Sequence, residues 1–282
     1  MGQYFGTTKS INEPIEDLHY RCKCIALNGY KIHERIKIPN VGFHMFRITR
    51  NGNTFVVKFA PIRSGQILYS TASRSIEFKQ YHMTNLIEIC TEKNITLSPY
   101  LLQWPSDEKN VASWKGMKEA YFYIITEYYE FGTLGDKILN VEKLNTIITQ
   151  MMHAIDSLHQ CNFSHDDISP ENIGIRNLNN IEVSLFDLEH LISLDSEIDY
   201  QLNNRVARVD YSSIRAHKCL QALDGDDYES LYFIVYELYM KISNLEYKLP
   251  WHALDNENDV SKIIHEKTIF FQQANLPFQN LL

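Results

Sequence analysis

A chain of 282 residues, 44% apolar and 22% charged, can bury a substantial core, which excludes disorder along its whole length. Its net charge of −8 excludes a general nucleic-acid binder, whose affinity rests on lysine and arginine at the phosphates. The five cysteines, Cys22, Cys24, Cys90, Cys161 and Cys219, lack the paired spacing of a zinc site and read as free thiols of a reducing, intracellular compartment, cytoplasm or nucleus. No apolar run approaches membrane-spanning length and residues 1–20 hold no continuous apolar segment, so neither a transmembrane helix nor a signal peptide is expected. Met1-Gly2 opens like a myristoylation signal, but Gly6 stands where its Ser or Thr belongs.

Residues 1–29 are a mixed, charged lead-in. From Tyr30 to Ala60 the pattern alternates: Tyr30 to Ile36, Phe43 to Ile48 and Thr54 to Phe59 read as three antiparallel strands, with Asn51-Gly52-Asn53 as the hairpin turn between the last two. Lys58 ends the third strand, where a lysine is ordinarily a solvated edge residue. The segment Lys37 to Gly42 connects the first two strands. Ile76, Met83, Leu86, Ile87 and Cys90 recur at roughly helical spacing, with Glu77 on the same segment. Residues 97–104 and 120–127 read as two further strands separated by a polar loop, 105–118.

Leu144, Ile147, Ile148, Met151, Met152, Ile155 and Leu158 define an amphipathic helix over Val141–Gln160. It leads into Ser164-His165-Asp166-Asp167-Ile168-Ser169-Pro170-Glu171-Asn172, and Leu185-Phe186-Asp187 follows. Asp, Asn and Pro are ordinary loop residues. In this order, however, they are the types that phosphoryl transfer needs. One carboxylate, Asp167, orients the attacking hydroxyl, while an amide, Asn172, and a second carboxylate, Asp187, hold magnesium. His159 and His165 read as packing residues. A further helix from Tyr228 to Ile242 is apolar nearly all round, as in the middle of a helical domain.

These motifs resemble the eukaryotic protein kinases. His165-Asp166-Asp167 through Asn172 is similar to the catalytic loop, and Asp187-Leu188-Glu189 stands where that family carries Asp-Phe-Gly. Tyr211-Ser212-Ser213-Ile214-Arg215-Ala216-His217 and Asp226-Asp227-Tyr228-Glu229-Ser230-Leu231, followed by Leu249-Pro250-Trp251, resemble the casein kinase 1 and vaccinia-related kinase branch. The resemblance implies an α+β, bilobal protein kinase-like fold: a small antiparallel β-sheet N-lobe with one helix over 30–127, and a hinge and mostly helical C-lobe over 128–282, its last helices shortened. It implies ATP and Mg2+ as cofactors and a protein substrate. Lys58 would hold the α- and β-phosphates and pair with Glu77. Gly42 would belong to the glycine loop, in which Pro39 removes a donor. Thr126 would face the adenine pocket, and Glu127 and Tyr129 would offer backbone groups to the base. Asp227 would hold the catalytic loop from below.

The chain departs from the family pattern at three positions: Asp166 replaces the arginine of the His-Arg-Asp triplet, Ser169 the lysine two residues after the catalytic aspartate, and Glu189 the glycine of the magnesium motif. Three functions follow. The first is a serine/threonine protein kinase of the casein kinase 1-like superfamily. The second is a catalytically impaired pseudokinase serving as a scaffold, and the third a small-molecule phosphotransferase, against which the Ser-Ile and Asp-Asp-Tyr-Glu-Ser-Leu segments count. Arg205, Arg208, Arg215 and Lys218 lie around the substrate-facing segment and point to acidic or already phosphorylated protein substrates, or else form a solvated basic face.

Overall fold

Asn51 and Gly52 take φ of 53° and 82°, the left-handed pair that a two-residue hairpin turn requires. The Asn-Gly signal in the sequence is therefore the turn that joins the second and third strands. The computed structural model describes residues 29–36, 44–62, 86, 89–101, 112–115, 120–136, 140–195, 208–243, 249–254 and 259–273. These fall into two compact units, one holding the described residues up to 62 and from 112 to 128, the other the described residues 86–101 and those from 129 onward.

The first unit is one antiparallel sheet of β1 (Lys31–Ile36), β2 (His44–Arg50), β3 (Asn53–Ile62), β4 (Ala112–Lys115) and β5 (Ala120–Glu127), in the order β1-β2-β3-β5-β4. Tyr30, Phe46, Ile48, Val57 and Ile125 form its core, and Phe55 packs edge-on to Tyr30 at 5.9 Å. β4 arises inside the stretch read as a polar loop, where Ala112–Lys115 pairs with Ala120–Tyr123. The expected strand over 97–104 is not found in its described part. Pro99 has no N–H to give to a ladder, and Ser98 accepts the amide of Tyr100 at 3.2 Å. Leu101 forms only a single parallel bridge to Leu185.

The second unit is mostly helical. α1 (Val141–Gln160) has the boundaries that its apolar period predicts, and Asn140 caps it by accepting the amide of Lys143 at 2.9 Å. Two short ribbons follow: β6 (Phe163–Ser164) pairs with β9 (Ile192–Ser193), and β7 (Ile173–Asn177) with β8 (Glu182–Leu185). Then come α2 (Ile214–His217), α3 (Asp224–Ile242) and α4 (Val260–Gln273). α3 begins a turn earlier than its apolar residues indicate. Asp224, Asp226 and Asp227 suit the positive N-terminal end, and Asp226 accepts the amide of Leu223 at 3.0 Å. Phe233 of α3, Trp251, and Phe270 of α4 stack edge to face at 4.9 and 5.4 Å and close the core. Among the described residues no helix is long and apolar enough to cross a membrane.

Candidate active site

At the end of α1 the chain reverses through Asn162, at φ 62°, and β6 delivers it to His165 and Asp166. Asp166 is also left-handed, at φ 58°, a conformation that Asp tolerates better than most residues. What holds this loop is Asp227 on α3, 1% exposed. Its Oδ2 accepts the amide of His165 at 2.8 Å and lies 2.9 Å from His159 Nε2, while its Oδ1 accepts the amide of Asp166 at 3.0 Å. Burial would raise this carboxyl, but His159, His165 and the loop amide outweigh it and hold the group below its ordinary value. The amide of Asp167 approaches His165 Nδ1 at 3.3 Å, so that nitrogen accepts and Nε2 carries the proton given to the Phe186 carbonyl at 3.0 Å.

Asp167 and Asn172 are brought together at the centre of the site. Asn172 Nδ2 donates one hydrogen to the Asp167 carbonyl and the other to its Oδ2, both at 2.8 Å. Asp167 Oδ1 is buried with no hydrogen-bond partner. Burial raises the Asp167 carboxyl above its ordinary 3.8, against the pull of His190, His165, Arg208 and the Asn172 hydrogen bond. Because both N–H groups of the Asn172 amide are committed, its Oδ1 is left as an acceptor. The Asn172 carbonyl takes the amide of Phe186 at 2.9 Å, which fixes the residue before Asp187. Asp187 itself is left-handed, at φ 65° and ψ 53°. Residues held in sparsely populated backbone regions cluster at functional sites.

An amide oxygen and a carboxylate so linked fit magnesium, which is commonly held by one or two carboxylates plus substrate phosphates. Among the described residues no group of three or more His, Cys, Asp or Glu is placed to form a metal cage by itself. Ser169 is fully buried and its hydroxyl has no hydrogen-bond partner.

The segment from Arg208 to His217 is fastened from beneath by three elements. Trp251 Nε1 donates to the Asp210 carbonyl at 2.9 Å. From α3, Glu229 accepts the amide of Ile214 at 2.7 Å and Glu237 accepts the hydroxyl of Tyr211 at 2.6 Å. On α4, the fully buried Lys267 donates to the carbonyls of Val209 and Ser212, at 2.8 and 2.5 Å, and lies 3.1 Å from His217 Nε2. Burial lowers the Lys267 amine to about 7, against the charges of Glu229 and Asp210.

Arg208 reaches the catalytic loop, with Nη1 2.9 Å from Glu171 Oε2 and Nε 3.5 Å from Asp167 Oδ1. Arg215 turns to the Gln221 carbonyl at 2.9 Å and to Asp226 at 3.8 Å. Arg205 lies outside the described residues, and Lys218 is exposed.

Of the remaining sequence candidates, Gly42 and Glu77 lie outside the described residues, as does the side chain of Lys58, whose backbone pairs with Met45 and Ile124. The side chain of Glu189 is likewise outside them. Thr126 and Glu127 pair with Val56 and Phe55 at the end of β5. Tyr129 lays its ring 4.9 Å from that of Phe186, and its hydroxyl donates to Ser184 Oγ at 3.2 Å. Gly174 makes this packing possible, since a Cβ there would lie 2.3 Å from the Tyr129 ring.

Sequence reasoning missed Lys267 and the contact of Arg208 with Asp167. The first had a signal: Lys267 stands on the apolar stripe of Ile263 and Phe270, four residues after one and three before the other. The second had none, because no local period links Arg208 to Asp167.

The chain matches the protein kinase domain family over residues 67–280, a stretch that begins after β3. It is 27% identical over 172 residues to the serine/threonine-protein kinase Genghis Khan of Drosophila melanogaster, covering 57% of this chain and 10% of that protein. Over 128 residues it is 30% identical to the serine/threonine-protein kinase PrkC of Bacillus subtilis, covering 44% and 19%. A putative casein kinase I of Caenorhabditis elegans is 26% identical over 140 residues, covering 46% and 39%. The aligned stretches thus span well under half the length of these relatives. In fold the chain is similar to vaccinia related kinase 3, with a TM-score of 0.61 at 12% identity over 87% of this chain and 72% of that one. It is also similar to the Cydia pomonella granulovirus kinase PK-1, with a TM-score of 0.53 at 16% identity over 80% and 75%. The chain belongs to the protein kinase family.

Proposed function

We propose that this chain is a serine/threonine protein kinase of the casein kinase 1-like branch that transfers the γ-phosphate of ATP to protein hydroxyls with Mg2+. The observation that carries this reading is the state of Asp167: one carboxylate oxygen is fixed by Asn172, and the other is buried without a hydrogen-bond partner on a loop fastened by Asp227. A substrate hydroxyl can supply the hydrogen bond that this oxygen lacks, and Asp167 orients it for attack. Asn172 and Asp187 hold the metal, whose charge, when it is bound, offsets that developing on the phosphates. Lys58, Glu77 and Gly42 serve the nucleotide phosphates, and Thr126, Glu127 and Tyr129 the base. We take residues 30–127 as the N-lobe, apart from 86–101, which belong to the second compact unit, and residues 128–282 as the hinge and C-lobe. Acidic or phosphorylated protein substrates are the preferred class, served by Arg205, Arg208, Arg215 and Lys218, of which Arg208 and Arg215 also have partners within the chain. The scattered thiols support a place in cytoplasm or nucleus.

A pseudokinase scaffold is the second reading, favoured by Ser169, which brings no cation to the site. The test is transfer of labelled phosphate from magnesium-ATP to casein, together with the thermal shift on magnesium-ATP. Transfer that Asp167→Ala abolishes, and a shift that Asp187→Asn loses, are expected. A folded chain that shows neither is a pseudokinase.

A further inference from the structure

The loop from Ser164 to Asn172 carries three carboxylates, Asp166, Asp167 and Glu171, and neither lysine nor arginine. Phosphoryl transfer beside this loop develops negative charge on the phosphate oxygens, and the loop's own residues bring carboxylates but no Lys or Arg to that step. The buried Ser169 hydroxyl, without a partner, adds no charge. Arg208 closes on the loop from the segment before α2, spanning Glu171 at 2.9 Å and the buried Oδ1 of Asp167 at 3.5 Å.

Its placement is built in. The amide of Arg208 donates to Ser212 Oγ at 3.3 Å, and its carbonyl accepts the amide of Ser212 at 2.9 Å. The carbonyl of Ser212 is in turn held by the buried Lys267 at 2.5 Å. A chain of contacts therefore runs from Lys267 through Ser212 to Arg208 and on to Asp167. The Arg208 side chain is still 40% exposed, so part of the guanidinium remains open to an incoming anionic group.

We propose that Arg208 is a positioning residue for phosphoryl transfer, supplying to the catalytic loop the positive charge that the loop itself lacks and holding Asp167 and Glu171 in register for the substrate hydroxyl. This rests on the kinase reading above. Arginine suits the task because its planar fork contacts two carboxylates in fixed geometry and stays charged throughout the working pH range.

The experiment compares casein phosphorylation by wild type, Arg208→Lys, Arg208→Gln, and Arg208→Ala with and without added guanidinium ion, with the unfolding temperature of each variant recorded. Arg208→Gln, which keeps a hydrogen-bonding amide beside Glu171, should lower kcat on the order of a hundredfold, the usual cost of one lost electrostatic stabiliser. Arg208→Lys, which keeps the charge but not the fork, should lose less activity than Arg208→Gln, and guanidinium ion at millimolar concentration should restore part of the activity of Arg208→Ala. Arg208→Gln at wild-type rate or faster overturns the proposal and leaves the kinase reading standing. Equal losses in Gln and Lys, with no response of the Ala variant to guanidinium, also overturn it and make the residue a structural tie. A folded wild type that transfers no phosphate overturns the kinase reading, and this proposal falls with it.

Discussion

The carboxylate of Asp227 accepts the backbone amide of His165 at 2.8 Å across 62 positions of sequence. With the amide of Asp166 on its other oxygen, a single buried side chain on α3 fixes the backbone that carries Asp167. The left-handed Asp166 is thereby held from the core.

Asp227→Asn keeps the volume but puts an N–H₂ group where an acceptor is needed. It should lower stability by about 1.5–3 kcal/mol, the range for hydrogen bonds to a charged group, as read from denaturant unfolding. The wild-type carboxyl lies below its ordinary 3.8, so its contribution is fully present above that value and is lost as pH falls through the lower folded value. The gap between wild type and variant should therefore close in acid. A gap that is absent at neutral pH, or unchanged in acid, would show that Asp227 does not hold the loop.

Lys267→Met tests the clamp under the Arg208–His217 segment. Two buried carbonyls lose their donor, which should cost about 1–3 kcal/mol at neutral pH. The unfolded chain keeps the Lys267 proton up to its ordinary 10.5, the folded chain only up to about 7. Wild-type stability relative to the variant should therefore grow as pH rises between those two values. Unfolding curves at both ends of that window decide the matter, and a constant or shrinking difference refutes the assignment.

Gly174→Ala forces a methyl group to 2.3 Å from the Tyr129 ring. Overpacking of this kind costs about 1–3 kcal/mol. Because Tyr129 also stacks on Phe186, the residue before Asp187, the thermal shift on magnesium-ATP should shrink as well. The double variant Tyr129→Ala/Gly174→Ala should be less destabilised than the sum of its parts, since the clash is then gone. Additive losses would mean that the two residues do not meet.

Cys90 and Cys161 place their sulfur atoms 3.0 Å apart, at the end of α1 just before the catalytic loop. Burial, together with the hydrogen bond and charge of Cys161, pushes the Cys90 thiol up to about 12, so Cys90 stays protonated and slow at neutral pH. Hydrogen peroxide at raised pH should join them: one thiolate becomes a sulfenic acid with release of water, and the second thiol displaces a second water to give the disulfide. Peptide mapping should find residues 90 and 161 linked and two hydrogen atoms lost from the intact mass. Oxidised chain with both thiols still alkylatable would contradict this geometry.

Much of the fold is legible in local pattern. The period of Leu144, Ile147, Ile148, Met151 and Ile155 marks the buried face of α1, and Asn51-Gly52 marks the hairpin, because periodicity and turn conformation are properties of a few adjacent residues. The short strand Ala112–Lys115 was not legible: it has little period of its own and exists by pairing with β5. At the site, the order of Asp167, Asn172 and Asp187 marked the kinase family, since residue type and spacing carry that resemblance.

What only the tertiary structure decided is which buried polar groups are satisfied, and by what. Lys267 reads as a surface cation in a list of residues, yet it is fully buried because the carbonyls of Val209 and Ser212, far from it in sequence, receive its hydrogens. Arg208 reads as one basic residue among several, and the fold turns it onto Asp167 and Glu171. Burying a charge is costly unless partners surround it, and those partners are assembled by packing between elements, which no local sequence pattern records.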